Sequence, residues 1–266
     1  LSSGIFYAPG SYSEPEEIVE LAKVVARFGG AYTSHIRDEA SYTVGVIEAV
    51  EEVIDVGRRA GVPAVITHIK ALGPTVWGFG HAIVQRIEMA RSEGVEVYSD
   101  QYPYVASSTG LGAALIPRWA EAGGSDSLKA RLNRPETFAR IRAEMVDNLA
   151  RRGGADRIQF RRVVFDESLE GRLLSDVAAE KGEDPVDYSA DLLRRGSVSI
   201  VSYNMHDDDV RTLMVQPWNM TSSDGGYAPM GEGVPHPRSY GAFARKIRYY
   251  VVEEGVVGLA AAIRSM

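Results

Sequence analysis

Apolar residues recur at helical spacing at Ile18, Leu21, Ala22 and Val25, behind a Ser13-to-Glu16 spacing that suits a capping box, and Gly29-Gly30 ends the run. A strand is expected next, from Ala31 to about His35. The same grammar then repeats. A helix carrying Ile47, Val50 and Ile54 ends near Gly61, and a strand runs from Ala64 to His68. A helix with Ile83 and Ile87 ends at Gly94, and a strand covers Val95 to Ser99. Strand starts near 31, 64 and 95 mark successive βα units, whose right-handed crossovers build a parallel sheet. Such a sheet either closes into a barrel or stays open and doubly wound. An open nucleotide-binding sheet usually carries a Gly-rich phosphate loop after a strand. Neither GxGxxG nor GxxxxGK[ST] occurs here, so the pattern favours the barrel.

From Ala106 to Gly196 the periodicity loosens into charged helical stretches, among them Ser127 to Leu149 and Leu173 to Lys181, with a joint at Arg151-Arg152-Gly153-Gly154. This reads as an inserted subdomain or lid over 106–196, within a barrel domain spanning 1–266. Regular structure is expected to resume with the apolar run Val198 to Val201, a short helix opened by Asp207-Asp208-Asp209, and a strand from Asn219 to Ser222 that Asp224 closes. Four or five barrel strands fall short of the eight that closure takes, and the chain opens on Leu1. The expectation is an α/β chain supplying the C-terminal half of a (β/α)8 TIM-type barrel.

Composition narrows the chemistry. The chain has 266 residues, 45% of them hydrophobic, enough for one large domain with a substantial core. Its formal charge is 29 − 36 = −7 with no long basic block, which argues against nucleic acid as a partner. No uninterrupted apolar stretch reaches the length of a membrane span, and no signal-peptide pattern opens the chain, so a membrane partner is not expected and a cytoplasmic location is. With Cys at zero, disulfides, thiolate nucleophiles and Cys-rich zinc knuckles are excluded within these residues. A metal here must use His, carboxylates and water.

His35 and His68 sit in two near-interchangeable phrases, Thr33-Ser34-His35-Ile36-Arg37 and Ile66-Thr67-His68-Ile69-Lys70, each at the end of an apolar run. Singly, each reads as a strand-end histidine bonded to a neighbour. As a repeat one βα unit apart, they place two imidazoles on the rim where such barrels collect their chemistry, and neutral imidazole is the commonest biological metal ligand. The string Ser223-Asp224-Gly225-Gly226 is by itself a turn. On the same rim, its carboxylate could ligate a divalent ion and shuttle a proton. Tyr102, set before Pro103 and so extended, could donate to a substrate carboxylate or oxyanion, or simply pack at the barrel mouth. Arg238, in the stiff loop Pro235-His236-Pro237-Arg238, offers a carboxylate fork or a loop salt bridge. Lys70, two residues past His68, is a third candidate anion anchor. His81 and His206 lie near helix starts and read as structural or surface residues.

The strings Ser34-His35-Ile36-Arg37-Asp38-Glu39, Thr67-His68-Ile69-Lys70, Tyr102-Pro103-Tyr104, Ser223-Asp224-Gly225 and His236-Pro237-Arg238, in this order, resemble the N-acyl-D-amino-acid deacylases, or D-aminoacylases, of the amidohydrolase superfamily. The resemblance implies a (β/α)8 barrel with zinc at its C-terminal rim and a small β-sandwich built from the chain ends of a typical member. It implies His35 and His68 as metal-binding histidines of the fifth and sixth strands and Asp224 as the catalytic aspartate of the eighth. Strands near 95 and near 198 compete for the seventh place. The family's His-x-His pair of the first strand, and a bridging residue that is often Cys, lie upstream of this sequence. Without them only two firm histidine ligands remain, short of the three protein ligands usual for catalytic zinc.

The resulting expectation is a zinc-dependent hydrolase, with one or two Zn2+, that cleaves the amide bond of N-acyl-D-amino acids or of dipeptides containing a D-amino acid. Asp224 moves the proton, Lys70, Tyr102 and Arg238 hold the substrate carboxylate, and 106–196 covers the site. The alternatives are a cyclic-amide hydrolase of the dihydropyrimidinase or hydantoinase kind, and a non-catalytic barrel that only binds. Whether the protein is a homo-oligomer stays open at this stage.

Overall fold

The computed structural model describes residues 1–229 and 231–266. Along the chain the elements are β1 (Ser2–Gly4), α1 (Pro15–Ala26), β2 (Tyr32–His35), α2 (Val46–Ala60), β3 (Ala64–Ile66), α3 (Gly80–Ser92) and β4 (Val97–Gln101). There follow β5 (Ser107–Gly110), α4 (Leu111–Leu115), α5 (Arg118–Glu121), α6 (Gly124–Leu132), α7 (Pro135–Arg151), β6 (Ile158–Arg162), α8 (Leu174–Lys181), α9 (Pro185–Arg195) and β7 (Ser199–Ser202). The chain finishes with α10 (Asp207–Met214), β8 (Asn219–Thr221), α11 (Arg238–Arg245), a π-helical segment Lys246–Glu253, and α12 (Leu259–Arg264).

These elements form two compact units. The first comprises Leu1–Val105, Met205–Gly226 and Pro237–Met266; the second comprises Ala106–Asn204 and Tyr227–His236. In the first unit β1-β2-β3-β4-β8 form one all-parallel sheet, with Gly4 opposite His35, Ser34 opposite Ile66, Ile66 opposite Ser99 and Ser99 opposite Asn219. Helix α2 shows why the sequence folds this way. Val46, Val50, Val53, Ile54, Gly57 and Ala60 fall on one face at helical spacing and are all buried, while Arg58 and Arg59 stay on the outer face at the end where cations suit the helix dipole. Gly61 then takes φ +67, the left-handed cap that turns the chain into β3. Helix α3 is pinned at its start by Asp209 of α10, whose carboxylate accepts from the backbone of Gly78 at 2.9 Å and Gly80 at 2.8 Å.

In the second unit β5-β7-β6 form an antiparallel sheet whose core includes Leu111, Leu115, Ile141, Met145, Ile158, Phe160, Leu174 and Ile200. This assigns the run near 198 to that sheet, so β4, paired to β8, is the strand preceding the last one in the parallel sheet. A fully buried strand reads as an unbroken apolar run in either kind of sheet, which is why the pattern alone left the two competing.

Boundaries differ from the sequence expectation at three informative places. Helix α1 is capped one residue later than the Ser13–Glu16 spacing suggests. Pro15 fits the first helical position, so Glu14 becomes the cap and its N–H donates to the Glu17 carboxylate at 3.2 Å, while Ser13 bonds Gly10 instead. Strand β3 stops at Ile66, and His68 lies beyond it in a left-handed conformation, φ +39. Strand β8 stops at Thr221, so Asp224 sits in the following turn with φ +45 rather than on the strand. Strand β1 was not expected at all; three small or polar residues carry too little alternation to show. Among the described residues, no helix is long and apolar enough to cross a membrane.

Candidate active site

The site grows from the carboxyl ends of neighbouring parallel strands, where such sheets present chemistry. Strand β2 ends in His35, and the next residues divide the labour of fixing it. Arg37 turns back to an ion pair with Glu52 of α2 at 2.6 Å. Asp38, fully buried, accepts from the backbone N–H of Ala40 at 2.8 Å, Thr43 at 2.6 Å and Gly45 at 3.1 Å, so the loop to α2 folds around its carboxylate. Glu39 is thereby aimed back at the strand ends. Its Oε1 lies 3.6 Å from His35 Nε2 and 3.2 Å from His68 Nδ1 and pairs with the Lys70 ammonium.

His35 and His68 themselves meet ring to ring, 4.4 Å between centroids at 70°. Phe6 and Tyr7, the residues after β1, pack on His35 at 5.2 and 4.9 Å between ring centroids. His68 owes its left-handed backbone to Asp100, on β4, whose Oδ1 accepts the His68 N–H at 3.0 Å and also the Ser222 hydroxyl. One buried-side carboxylate oxygen therefore ties the loop after β3 to the loop after β8.

Metal-competent atoms of His35, Glu39 and His68 all lie within 4.8 Å of one another. Two imidazoles and one carboxylate are a donor set that zinc accepts, and this is the one such group among the described residues. Burial opposes ionisation of Glu39, but Lys70 and the two imidazoles outweigh it and hold its carboxyl well below the usual carboxylate range. Lys70 also reaches His68 Nδ1 at 2.8 Å. A metal held here would share Glu39 with that ammonium.

A second charged pair also lies beside Tyr102. Asp224 Oδ2 lies 2.7 Å from Arg238 Nη1 at the start of α11. Gly225 makes that approach feasible, because a Cβ there would lie 2.7 Å from Ser239 Cα. The Tyr102 ring is flanked by both cations, with the Arg238 guanidinium 4.6 Å and the Lys70 ammonium 5.7 Å from its centroid. Its hydroxyl contacts the sulfur of Met205 at 3.7 Å, and burial pushes its phenol pKa far up, so it remains a neutral donor.

All six residues singled out from the sequence, His35, His68, Lys70, Tyr102, Asp224 and Arg238, thus belong to the first unit, in two ion-paired groups around one tyrosine. Sequence reasoning gave no role to two residues. Glu39 carried one signal, its place four residues after His35, and Asp100 only its place at a strand end. His81 lies in α3, and His206 caps α10 by accepting from the Asp208 N–H at 3.3 Å.

Comparison with known proteins places the chain. No family model matches it. It is 33% identical over its whole length to an N-acyl-D-glutamate deacylase of Alcaligenes xylosoxydans xylosoxydans, and 29% identical to a D-aminoacylase of the same organism. It spans about 45% of the length of the first of these relatives and 46% of the second. A crystal structure of N-acyl-D-glutamate deacylase from Bordetella bronchiseptica, complexed with zinc and a phosphonate inhibitor, superposes with a TM-score of 0.76 at 32% identity, covering 100% of this chain and 46% of that one. A D-aminoacylase crystal structure gives 0.75 at 29% identity with the same coverage.

Fold and site together define an α/β protein of the amidohydrolase superfamily, its parallel sheet being part of the superfamily's barrel. Over its whole length the chain is similar to N-acyl-D-amino-acid deacylases, the D-aminoacylases.

Proposed function

We propose that this chain carries the reaction centre of a zinc-dependent amidohydrolase that cleaves the linear amide of N-acyl-D-amino acids. The observation that carries the reading is the convergence of His35, Glu39 and His68, with donor atoms within 4.8 Å. It is supported by relatives named for such deacylation, one of them solved with zinc and an inhibitor described as a mimic of the tetrahedral intermediate.

His35 and His68, with Glu39 beside them, would hold the metal. Zinc, when bound, polarises the scissile carbonyl and makes a nearby water more acidic. Asp224 accepts the proton from the attacking water and delivers it to the amide nitrogen, since an amine leaves far more readily than an amide anion. The C–O bond forms first, giving a tetrahedral adduct, and the C–N bond then breaks as the nitrogen takes the proton, giving an acid and a D-amino acid. Arg238, with the neutral Tyr102 hydroxyl near it, orients the substrate carboxylate. Lys70, buried against Glu39, fixes that carboxylate as an anion and adds positive potential beneath the site.

The test is elemental analysis of the purified full-length protein with and without His35→Ala and His68→Ala, paired with hydrolysis of N-acetyl-D-amino acids and of cyclic ureides. One or two zinc ions per chain that vanish in the double variant, with turnover of the linear D-substrates, are expected. Zinc-loaded wild-type protein that cleaves only the ureides, or nothing, would overturn the proposal in favour of a cyclic-amide hydrolase or a barrel that only binds.

A further inference from the structure

Between α11 and the chain leaving β4 runs a set of contacts that the reaction as proposed does not use. Arg238 and Arg245 are the first and last residues of α11 and, at that spacing, share one face of it, with Ala242 buried between them. Arg238 lies 4.6 Å from the Tyr102 ring centroid, and Arg245 Nε donates to the Pro103 carbonyl at 2.8 Å. The Arg245 guanidinium is in turn surrounded by tyrosine rings, 5.0 Å from the centroid of Tyr104, 4.5 Å from Tyr249 and 5.8 Å from Tyr250. At the opposite end of the helix, the Tyr104 hydroxyl donates to the carbonyl of Pro237, the residue before Arg238, at 3.3 Å. The helix runs so close to this tyrosine that a Cβ on Gly241 would come within 3.1 Å of its hydroxyl.

We infer that Arg245 and Tyr104 are positioning residues: they brace α11 against the 102–104 segment and so set the separation of Arg238 from Tyr102 at which a substrate carboxylate is oriented. This rests on the function proposed above. The 102–104 segment has few ways to move. The Pro103 ring fixes its own φ, and Tyr102 before it is confined to extended conformations. The Tyr104 N–H donates to the Tyr102 carbonyl at 3.0 Å. The main freedom left is ψ of Pro103, which sets where its carbonyl points, and that carbonyl is the group Arg245 holds. A guanidinium suits this task, because its charge strengthens the hydrogen bond while its flat faces pack on aromatic rings. The Arg245 bond fixes the C-terminal end of α11 and the Tyr104 bond its N-terminal end, so the helix can neither slide along the segment nor pivot on it. In this arrangement each residue acts through a backbone carbonyl and not by touching substrate.

Calorimetric titration of the full-length protein with N-methanesulfonyl-D-leucine, which has a carboxylate but no cleavable amide, tests the brace. Arg245→Met is expected to weaken binding by about tenfold, the scale of one charge-assisted hydrogen bond, and Tyr104→Phe by about threefold, the scale of a neutral one. With N-acetyl-D-leucine, KM should rise by the same factors while kcat and zinc content hold. Tyr250→Phe keeps its ring near Arg245 but loses the bond from its hydroxyl to Asp207, so it should lower the urea midpoint and leave affinity unchanged. An equal loss of affinity in Tyr250→Phe would mean general loosening and overturn the inference, as would a fall in zinc content in the brace variants. Unchanged affinity in Arg245→Met, or in Tyr104→Phe where Arg245→Met does not fold, overturns it too. Turnover of N-acetyl-D-leucine by the wild type is scored separately. Its absence with the affinity pattern intact defeats the hydrolase reading alone, turnover without the pattern defeats only the brace, and no ligand binding to the wild type defeats both.

Discussion

The two charged groups flanking Tyr102 are built to opposite standards. On the histidine side, every member is held more than once: Asp38 shapes the loop that returns Glu39, Asp100 fixes the backbone of His68, and Lys70 bonds both Glu39 and His68. On the aspartate side, an ion pair and a tight turn place Asp224, and Arg238 also lies over the Tyr102 ring. The difference follows from the tasks. Metal ligands work by staying put, since affinity depends on donors placed in advance. A proton carrier, the role proposed for Asp224, needs an oxygen open to water, and Asp224 is the more exposed of the two carboxylates. The two groups meet at one aromatic ring, over which both Lys70 and Arg238 lie.

The comparison breaks most completely at Glu39. Glu39→Gln removes the anion on which Lys70 and both imidazoles converge and leaves the buried ammonium facing a neutral amide. Activity and zinc content are expected to fall by on the order of 100-fold, read by steady-state hydrolysis and elemental analysis. Retained zinc and activity would mean that the histidine side does not depend on its carboxylate.

Asp100→Ala comes next. It frees the His68 N–H and the Ser222 hydroxyl together, so it should loosen both sides at once. A loss of about 1–3 kcal/mol in urea unfolding is expected, with Asp100→Asn recovering part of it through its remaining acceptor oxygen.

How much of this could be read from the chain differs along the same divide. Helix α2 was legible because Ile47, Val50 and Ile54 recur at helical spacing, although Ile47 proves only partly buried, and the His35/His68 pair because it repeats across two successive βα units. Glu39 obeys no period. Its place depends on a loop folded round Asp38, a path that hydrogen bonds fix and hydropathy does not record. The Asp224–Arg238 pair joins residues in a turn and at a helix start, where composition suggests a bend but not its direction. The strand near 198 stayed ambiguous for a third reason: burial on both faces erases the alternation that would have told its sheet from the other.

Gly225→Ala probes the aspartate side with less force. A Cβ would meet Ser239 Cα at 2.7 Å, so the turn or the start of α11 must give, at a cost of about 1–3 kcal/mol. Because the displaced residues are the neighbours of Asp224 and Arg238, KM for carboxylate-bearing substrates should rise while zinc content is unchanged. A fall in zinc content would mean that the two sides are coupled through more than Asp100.

The smallest effect lies beneath Asp224. Lys246, buried at the start of the π-helical segment, donates to the hydroxyls of Thr221 at 2.7 Å and Ser265 at 2.8 Å, anchoring the end of β8. Burial lowers its pKa from the ordinary 10.5 to about 8. Above pH 8 the folded chain has lost this proton while the unfolded chain still binds it, so the unfolded state holds more protons and stability rises with pH up to about 10. Beyond that, the raised phenol pKa values of Tyr102 and Tyr250, both pushed up chiefly by burial, reverse the sign, because unfolded tyrosines ionise first. Lys246→Met should flatten the rise between pH 8 and 10 in urea unfolding and leave the metal group untouched. A rise that persists in the variant would assign the titration to another group.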